Sequence, residues 1–283
     1  MKKVFIYICI VLLLLLFLSR FVLCEMRWPD GRAIRVFRSK NVPLTIRDTV
    51  IAGRHVHYAI TGGDNQPTLI FIHGSPGSWL HYYRFMCDTD LRNKYRIVSI
   101  DRPGFGHSDY GKAMHLQDQC RLLLPVLQNL KNGRPMYLCG HSMGGPVAAQ
   151  LAADAPELFD KLVILAGALD PSLETKETWR VIMNKKPFYW FLPGAYQPSN
   201  TELLYLKEDL KPLGADLGKI TTKVLFVHGD RDTWVPIENV AYGKKMMTHA
   251  ASITSDTLAG ANHNFPWNRR QEFKDILLNL EKE

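Results

Sequence analysis

A chain of 283 residues with 46% hydrophobic and 22% charged residues can bury a sizeable core, as one large domain or one domain with an insertion. The formal net charge is +8, but Lys2, Lys3 and Arg20 belong to an N-terminal apolar segment, and the remainder keeps only a small positive excess. With no lysine or arginine run, no aromatic-basic interleaving and no zinc-finger spacing, the composition gives no footing for a nucleic-acid partner.

The first element is that N-terminal segment, residues 1–24, in which MKK precedes an unbroken apolar run from Val4 to Leu18. At about 1.5 Å per residue the run spans roughly 22 Å, and Phe21 to Leu23 extend it if Arg20 snorkels. It fits an uncleaved membrane anchor or a signal peptide whose removal would leave a secreted or periplasmic protein. No small-residue cleavage triplet follows, which favours retention. Cys24 suggests a lipoprotein, yet Phe21, Val22 and Leu23 stand where a lipid-attachment box wants a small residue. The positive-inside rule sets Lys2 and Lys3 against Arg20, Arg27, Arg32, Arg35, Arg38 and Lys40, so the side of the membrane stays open. Five cysteines, Cys9, Cys24, Cys87, Cys120 and Cys139, show no framework spacing.

Next, IRVFRS (34–39) and HVHYAITG (55–62) read as an antiparallel pair at a sheet edge. Then come short, fully apolar runs: LIFIHG ending at Gly74, IVSID ending at Asp101, MYLCG ending at Gly140, LVILAG ending at Gly167 and VLFVHG ending at Gly229. Such runs suit parallel strands whose two faces are both covered. Between them Leu116, Cys120, Leu123, Leu124, Leu127 and Leu130 share a helical face, as do Phe273, Ile276, Leu277 and Leu280 near the end. Alternation of strand and helix implies a mostly parallel, doubly wound α/β sheet. The gap before VLFVHG is too long for one crossover, so residues 170–220 read as a small inserted helical cap, with a helical pattern in TELLYLKEDL. Its aromatics, Trp179, Phe188, Tyr189, Trp190, Phe191 and Tyr196, are expected to line an apolar pocket or to form the cap's own core.

Residues just after the carboxyl ends of such strands face the ligand crevice. GHSMG (140–144) follows one strand and opens a helix, the context in which a G-x-S-x-G turn presents a serine. A neutral serine hydroxyl is a poor nucleophile and needs a base and a group to orient that base. HGDRDTWVP follows VLFV, and AGANHNFPW follows SITSDTL, so Ser, Asp and His occur in that chain order. No HExxH and no His, Cys or carboxylate cluster at ligand spacing occurs, and GFGHSD lacks the third glycine of a dinucleotide fingerprint, so neither a metal nor a cofactor is expected.

With these motifs the chain resembles the α/β-hydrolase superfamily, in its cap-bearing branch, over residues 34–283. HGSPGS (73–78) resembles the oxyanion turn, DRPGFGHSD (101–109) the glycine-rich loop and GHSMG the nucleophile elbow. The resemblance implies Ser142 as nucleophile, His263 as base and Asp232, four residues before Pro236, as acid, with Asp230 the lesser alternative. It implies an oxyanion hole from the backbone N–H groups of Ser75 and Met143. His73 and His141 are then expected to shape the turns, and His107 and His228 to be structural. The implied activity is Ser-His-Asp acyl transfer on a small or lipid-like carboxylic ester. Thioesterase, acyltransferase and C–C bond hydrolase relatives share the motifs, and a catalytically silent binding protein of the same fold is the alternative of another class. Epoxide hydrolases and haloalkane dehalogenases need a carboxylate where Ser142 stands.

Overall fold

The computed structural model describes residues 2–22, 26–175 and 177–281, with the side chains at 16, 17 and 19–22 left out. Leu23 and Cys24, and with them the lipid-attachment reading, lie outside the described residues. Helix α1 (Lys2–Val22) carries the leucine run, with its described apolar side chains largely exposed. Among the described residues, no helix is long and apolar enough to cross a membrane.

IRVFRS does not form a strand: it belongs to helix α2 (Asp30–Arg38). Pro29 sits at the N-cap, Asp30 favours the positive helix start, and Ala33 and Phe37, four residues apart, form the buried stripe. The antiparallel edge is instead β1 (Thr45–Ile51) with β2 (Arg54–Thr61), joined by a tight turn in which Ala52 and Gly53 both take positive φ. TIRDTVI was the strand hidden by its polar residues, since at a sheet edge one face meets water.

Five of the remaining strands fall on the apolar runs, β3 (Thr68–Ile72), β4 (Arg96–Ile100), β5 (Met136–His141), β6 (Lys161–Leu165) and β7 (Lys223–Gly229), and β8 (Ser252–Leu258) falls on the more polar SITSDTL. They form one eight-stranded sheet in the order β1-β2-β4-β3-β5-β6-β7-β8, parallel from β4 onward. A 3-10 turn at Trp79–Tyr82 and the short helices α3 (Tyr83–Met86) and α4 (Thr89–Lys94) link β3 to β4; α5 (Leu116–Asn129) and α6 (Gly144–Asp154) provide the next two crossovers. Strands β3 to β6 are buried throughout because helices cover both faces. One core joins Leu123, Val147 and Leu151 of α5 and α6 to Ile70, Leu138 and Ile164 of the sheet. The other joins Phe37, Trp79 and Phe85 to Phe71, Leu165, Phe273 and Leu277.

Between β6 and β7 lie α7 (Thr178–Met183), a 3-10 turn at Phe188–Phe191 and the long α8 (Tyr196–Asp216), which contains TELLYLKEDL. Of the aromatics here Tyr196 lines the cavity that also holds Ser142, whereas those of α7 and of the 3-10 turn neither line it nor form a core. No residue of α7 or of the 3-10 turn is buried, and Trp179, Phe188 and Trp190 face outward. Two elements of six and four residues are too small to enclose a core of their own. The 3-10 turn instead runs beside α1. After β7 come α9 (Glu238–Met246), the short α10 (Phe265–Asn268) and α11 (Arg270–Leu278).

Candidate active site

The strand ends deliver the motif residues to one place. Between β5 and α6 the chain reverses so sharply that Ser142 takes φ +53°, a left-handed conformation that a serine holds only when its surroundings fix it. The crossing is close because its glycines lack side chains: a Cβ at Gly140 would run into the Gly144 carbonyl, and one at Gly144 into the Ile72 carbonyl. The Ser142 amide is tied to the Leu165 carbonyl of β6 at 2.9 Å, so the turn hangs on the sheet.

His263 follows β8. Its Nδ1 lies 2.7 Å from Asp232 Oδ2, and that carboxylate is completely buried. The other oxygen, Asp232 Oδ1, accepts the amides of Trp234 and Val235, both at 2.9 Å. Burial alone would raise the Asp232 pKa, but hydrogen bonds from His228 and His263, the His263 charge and the Val235 amide together hold it well below the carboxylate range. Asp230 is elsewhere: its carboxylate caps the Gly260 amide at 2.6 Å, in the turn after β8. The structure thus brings Asp232, not Asp230, to His263. His228 lies 3.4 Å from Asp232 and donates to the Val235 carbonyl at 3.0 Å, which holds the loop's far side.

Ser142 and His263 line one cavity of about 540 Å³, together with Ser75. Neither the Ser75 nor the Met143 backbone N–H has an acceptor among the described residues. His73 fixes the turn before Ser75 by donating from Nδ1 to the Gly74 carbonyl at 2.7 Å and accepting the Arg102 amide at Nε2 at 3.0 Å. Burial, and then the Arg102 charge, push its pKa well down, so the ring is neutral. His141 donates from Nε2 to the His263 carbonyl at 3.0 Å, and burial and the His263 charge keep it neutral too. His107 donates to the Trp28 carbonyl at 2.9 Å, a loop contact.

Sequence reasoning passed over the residues behind the turns. Arg102, fully buried after β4, reaches the His73 carbonyl at 2.8 Å and the Gly74 carbonyl at 3.1 Å, and forms a two-pronged ion pair with buried Glu202 of α8 at 2.7 and 2.8 Å. Ser75 Oγ donates to Ser199 Oγ of the same helix at 2.8 Å. Asp101 gathers the amides of Trp79 and His107 and the His57 ring at 2.7 to 2.9 Å, and Gly106 carries no side chain where a Cβ would strike that carboxylate. The DRPGFGHSD motif marked this loop; its link to a glutamate 100 residues later had no local signal. Nor did the cavity's outer wall of Tyr196, Trp234 and Trp267, with Arg84 and Arg270 at the rim. Among the described residues no group of histidine, cysteine and carboxylate side chains suits a metal ion.

An eight-stranded sheet with a serine on a strained strand-to-helix turn, and a histidine bonded to a buried aspartate, defines the α/β-hydrolase fold. A family model of the alpha/beta hydrolase fold matches residues 67–199. A Haemophilus influenzae protein provisionally named an esterase/lipase is 35% identical over 228 residues, 70% of this chain and 77% of that protein. The chain belongs to the α/β-hydrolase superfamily. A Burkholderia vietnamiensis 2-hydroxy-6-oxononadienedioate/2-hydroxy-6-oxononatrienedioate hydrolase is 39% identical over 119 residues, 40% of each chain. A bacterial membrane phospholipase A shares the fold at TM-score 0.64 and 19% identity, over 99% of this chain and 100% of that one. The chain spans less than half the length of several curated relatives it matches, between 27% and 45%.

Proposed function

We propose that the protein is a serine hydrolase that cleaves carboxylic esters of small or lipid-like molecules by acyl transfer. The observation that carries this is the shared cavity of Ser142 and His263, with His263 held by buried Asp232. In the proposed reaction, His263 Nε2 takes the Ser142 hydroxyl proton as Oγ bonds to the ester carbonyl carbon, and the carbonyl electrons move onto oxygen. The Ser75 and Met143 amides meet that oxyanion; losing one such donor costs about 10² to 10³ in rate. Collapse breaks the bond to the alkoxy group, which leaves with the proton from His263, and water repeats the steps to free the acid and Ser142. Asp232 keeps the imidazole in the tautomer with its proton on Nδ1.

A fluorophosphonate probe tests this on folded protein. Wild type becomes labelled at Ser142, and Ser142→Ala does not. Folded wild type that resists labelling points instead to a silent binding protein.

We propose residues 170–220 as a cap over the site, which Tyr196 of α8 enters, and residues 1–24 as a segment that holds the domain to a membrane. The exposed apolar side chains of α1 beside those of the 3-10 turn support an apolar contact with lipid. The full chain is expected to float with liposomes and a form lacking residues 2–22 to stay behind; a full chain that remains at the bottom of the gradient removes the membrane reading.

A further inference from the structure

We infer that the cavity takes esters whose leaving group carries a fixed negative charge, a carboxylate or phosphate, read by Arg84 and Arg270 at the rim. This inference rests on the acyl-transfer reading of Ser142. Both guanidiniums line the cavity and are exposed, and no carboxylate is among its described lining residues. Asp232 is sealed behind His263.

Neither guanidinium has a counter-charge among the described residues. Among the described residues Arg84 makes one side-chain hydrogen bond, of 3.1 Å, to the Tyr83 hydroxyl. Arg270 has no hydrogen-bond or ion-pair partner among the described residues. The carboxylates that α11 carries or meets pair elsewhere: Glu272 with Arg269 at 2.8 Å, Asp275 with the Gln271 amide at 2.9 Å, and Asp88 and Asp90 with Lys274 at 2.9 and 2.6 Å. Arg270 also opens α11, where a cation adds to the positive end of the helix instead of offsetting it. An incoming anion would relieve that placement.

Arg270 follows His263 by seven residues, through the short helix α10, and His263 is the group that would protonate the leaving alcohol, so the charge is assigned to the leaving-group side. Leu80, Tyr196, Trp234 and Trp267 give the wall an apolar and aromatic part that suits a hydrocarbon acyl chain. A guanidinium fork matches carboxylate and phosphate oxygens alike, so both anions belong to one substrate class.

Three octanoate esters test it: those of 4-hydroxybenzoate, 4-hydroxyphenyl phosphate and the neutral 4-hydroxybenzamide. At low salt wild type is expected to show a kcat/KM roughly tenfold higher for the charged esters, a ratio that shrinks as salt screens the rim. Comparing the two charged esters separates carboxylate from phosphate. Arg270→Gln and Arg84→Gln each lower the charged-to-neutral ratio, and the double variant Arg84→Glu with Arg270→Glu inverts it. A wild-type ratio near one, or a ratio unmoved by these changes, overturns the inference while ester turnover leaves the acyl-transfer reading standing. Labelling of Ser142 without turnover of any ester, and without better protection from labelling by the charged ones, overturns it as well. No turnover and no labelling overturns the acyl-transfer reading itself, and this inference with it.

Discussion

Two aspartates two residues apart have opposite surroundings, and that contrast predicts opposite consequences of the same substitution. Asp232 accepts two amides and faces His263 from a completely buried position, whereas Asp230 caps one turn amide at the surface. Asp232→Asn removes the charge that fixes the His263 tautomer and is expected to lower kcat by roughly 10³ to 10⁴. Asp230→Asn keeps an oxygen for the Gly260 amide and is expected to change kcat less than about threefold. Steady-state rates on one 4-nitrophenyl ester decide it, and the reverse pattern would remove Asp232 from the acid role. The family resemblance, through the spacing to Pro236, singled out Asp232, and the fold sets that residue rather than Asp230 against His263. Arg84 and Arg270 were not legible, because an exposed arginine acquires meaning only when the fold sets it beside a cavity and assigns the nearby carboxylates elsewhere.

Strands and crossovers were the readable elements, since β3 to β7 are buried on both faces and their sequences have no reason to alternate. Helix α2 was misread because a nine-residue amphipathic helix rich in arginine shows only two buried positions. The insertion was legible as an interruption and not as a structure. Its attachment depends on Glu202 of α8 meeting Arg102 of the loop after β4, and no periodicity announces a buried ion pair. That pair ties the insertion to the turn carrying Ser75, so its loss acts on both. Glu202→Gln leaves a buried guanidinium without its counter-charge and is expected to cost about 3 to 5 kcal/mol of unfolding free energy. Replacing both partners, Arg102→Met with Glu202→Leu, is expected to recover part of that loss, because no charge is then stranded. Urea denaturation of the two variants measures it; a double variant less stable than Glu202→Gln would mean that the Arg102 bonds to the His73 and Gly74 carbonyls outweigh the pair.

For the whole molecule, the site makes stability depend on pH with a definite sign. His73 and His141 are buried, and both are held well below the ordinary histidine value, His73 by burial and the Arg102 charge, His141 by burial and the His263 charge. Unfolding exposes both rings, which then take protons near pH 6.5 that the folded protein refuses. The unfolded state binds more protons below that pH, so stability falls as the solution is acidified, by up to about 1.4 kcal/mol per pH unit for each ring. His81 adds to this down to about 4, the value to which burial and Arg102 lower it. His57 works in the other direction. Burial lowers its pKa, but the hydrogen bond to Asp101 and the charges of Asp101, Asp30 and Asp48 together raise it, so its contribution is complete below 6.5 and is lost only as pH rises through the raised value. Asp232, held low, contributes at every pH above the carboxylate range and loses that contribution only below it. Between pH 6.5 and 5 the histidines that must stay neutral therefore dominate, and the unfolding free energy is expected to drop by about 3 to 4 kcal/mol. Urea titrations at pH 7 and pH 5 read this directly. A stability that holds level or rises over that interval would show that His73 and His141 carry protons in the folded protein, which the bonds His73 makes to the Gly74 carbonyl and the Arg102 amide leave no room for.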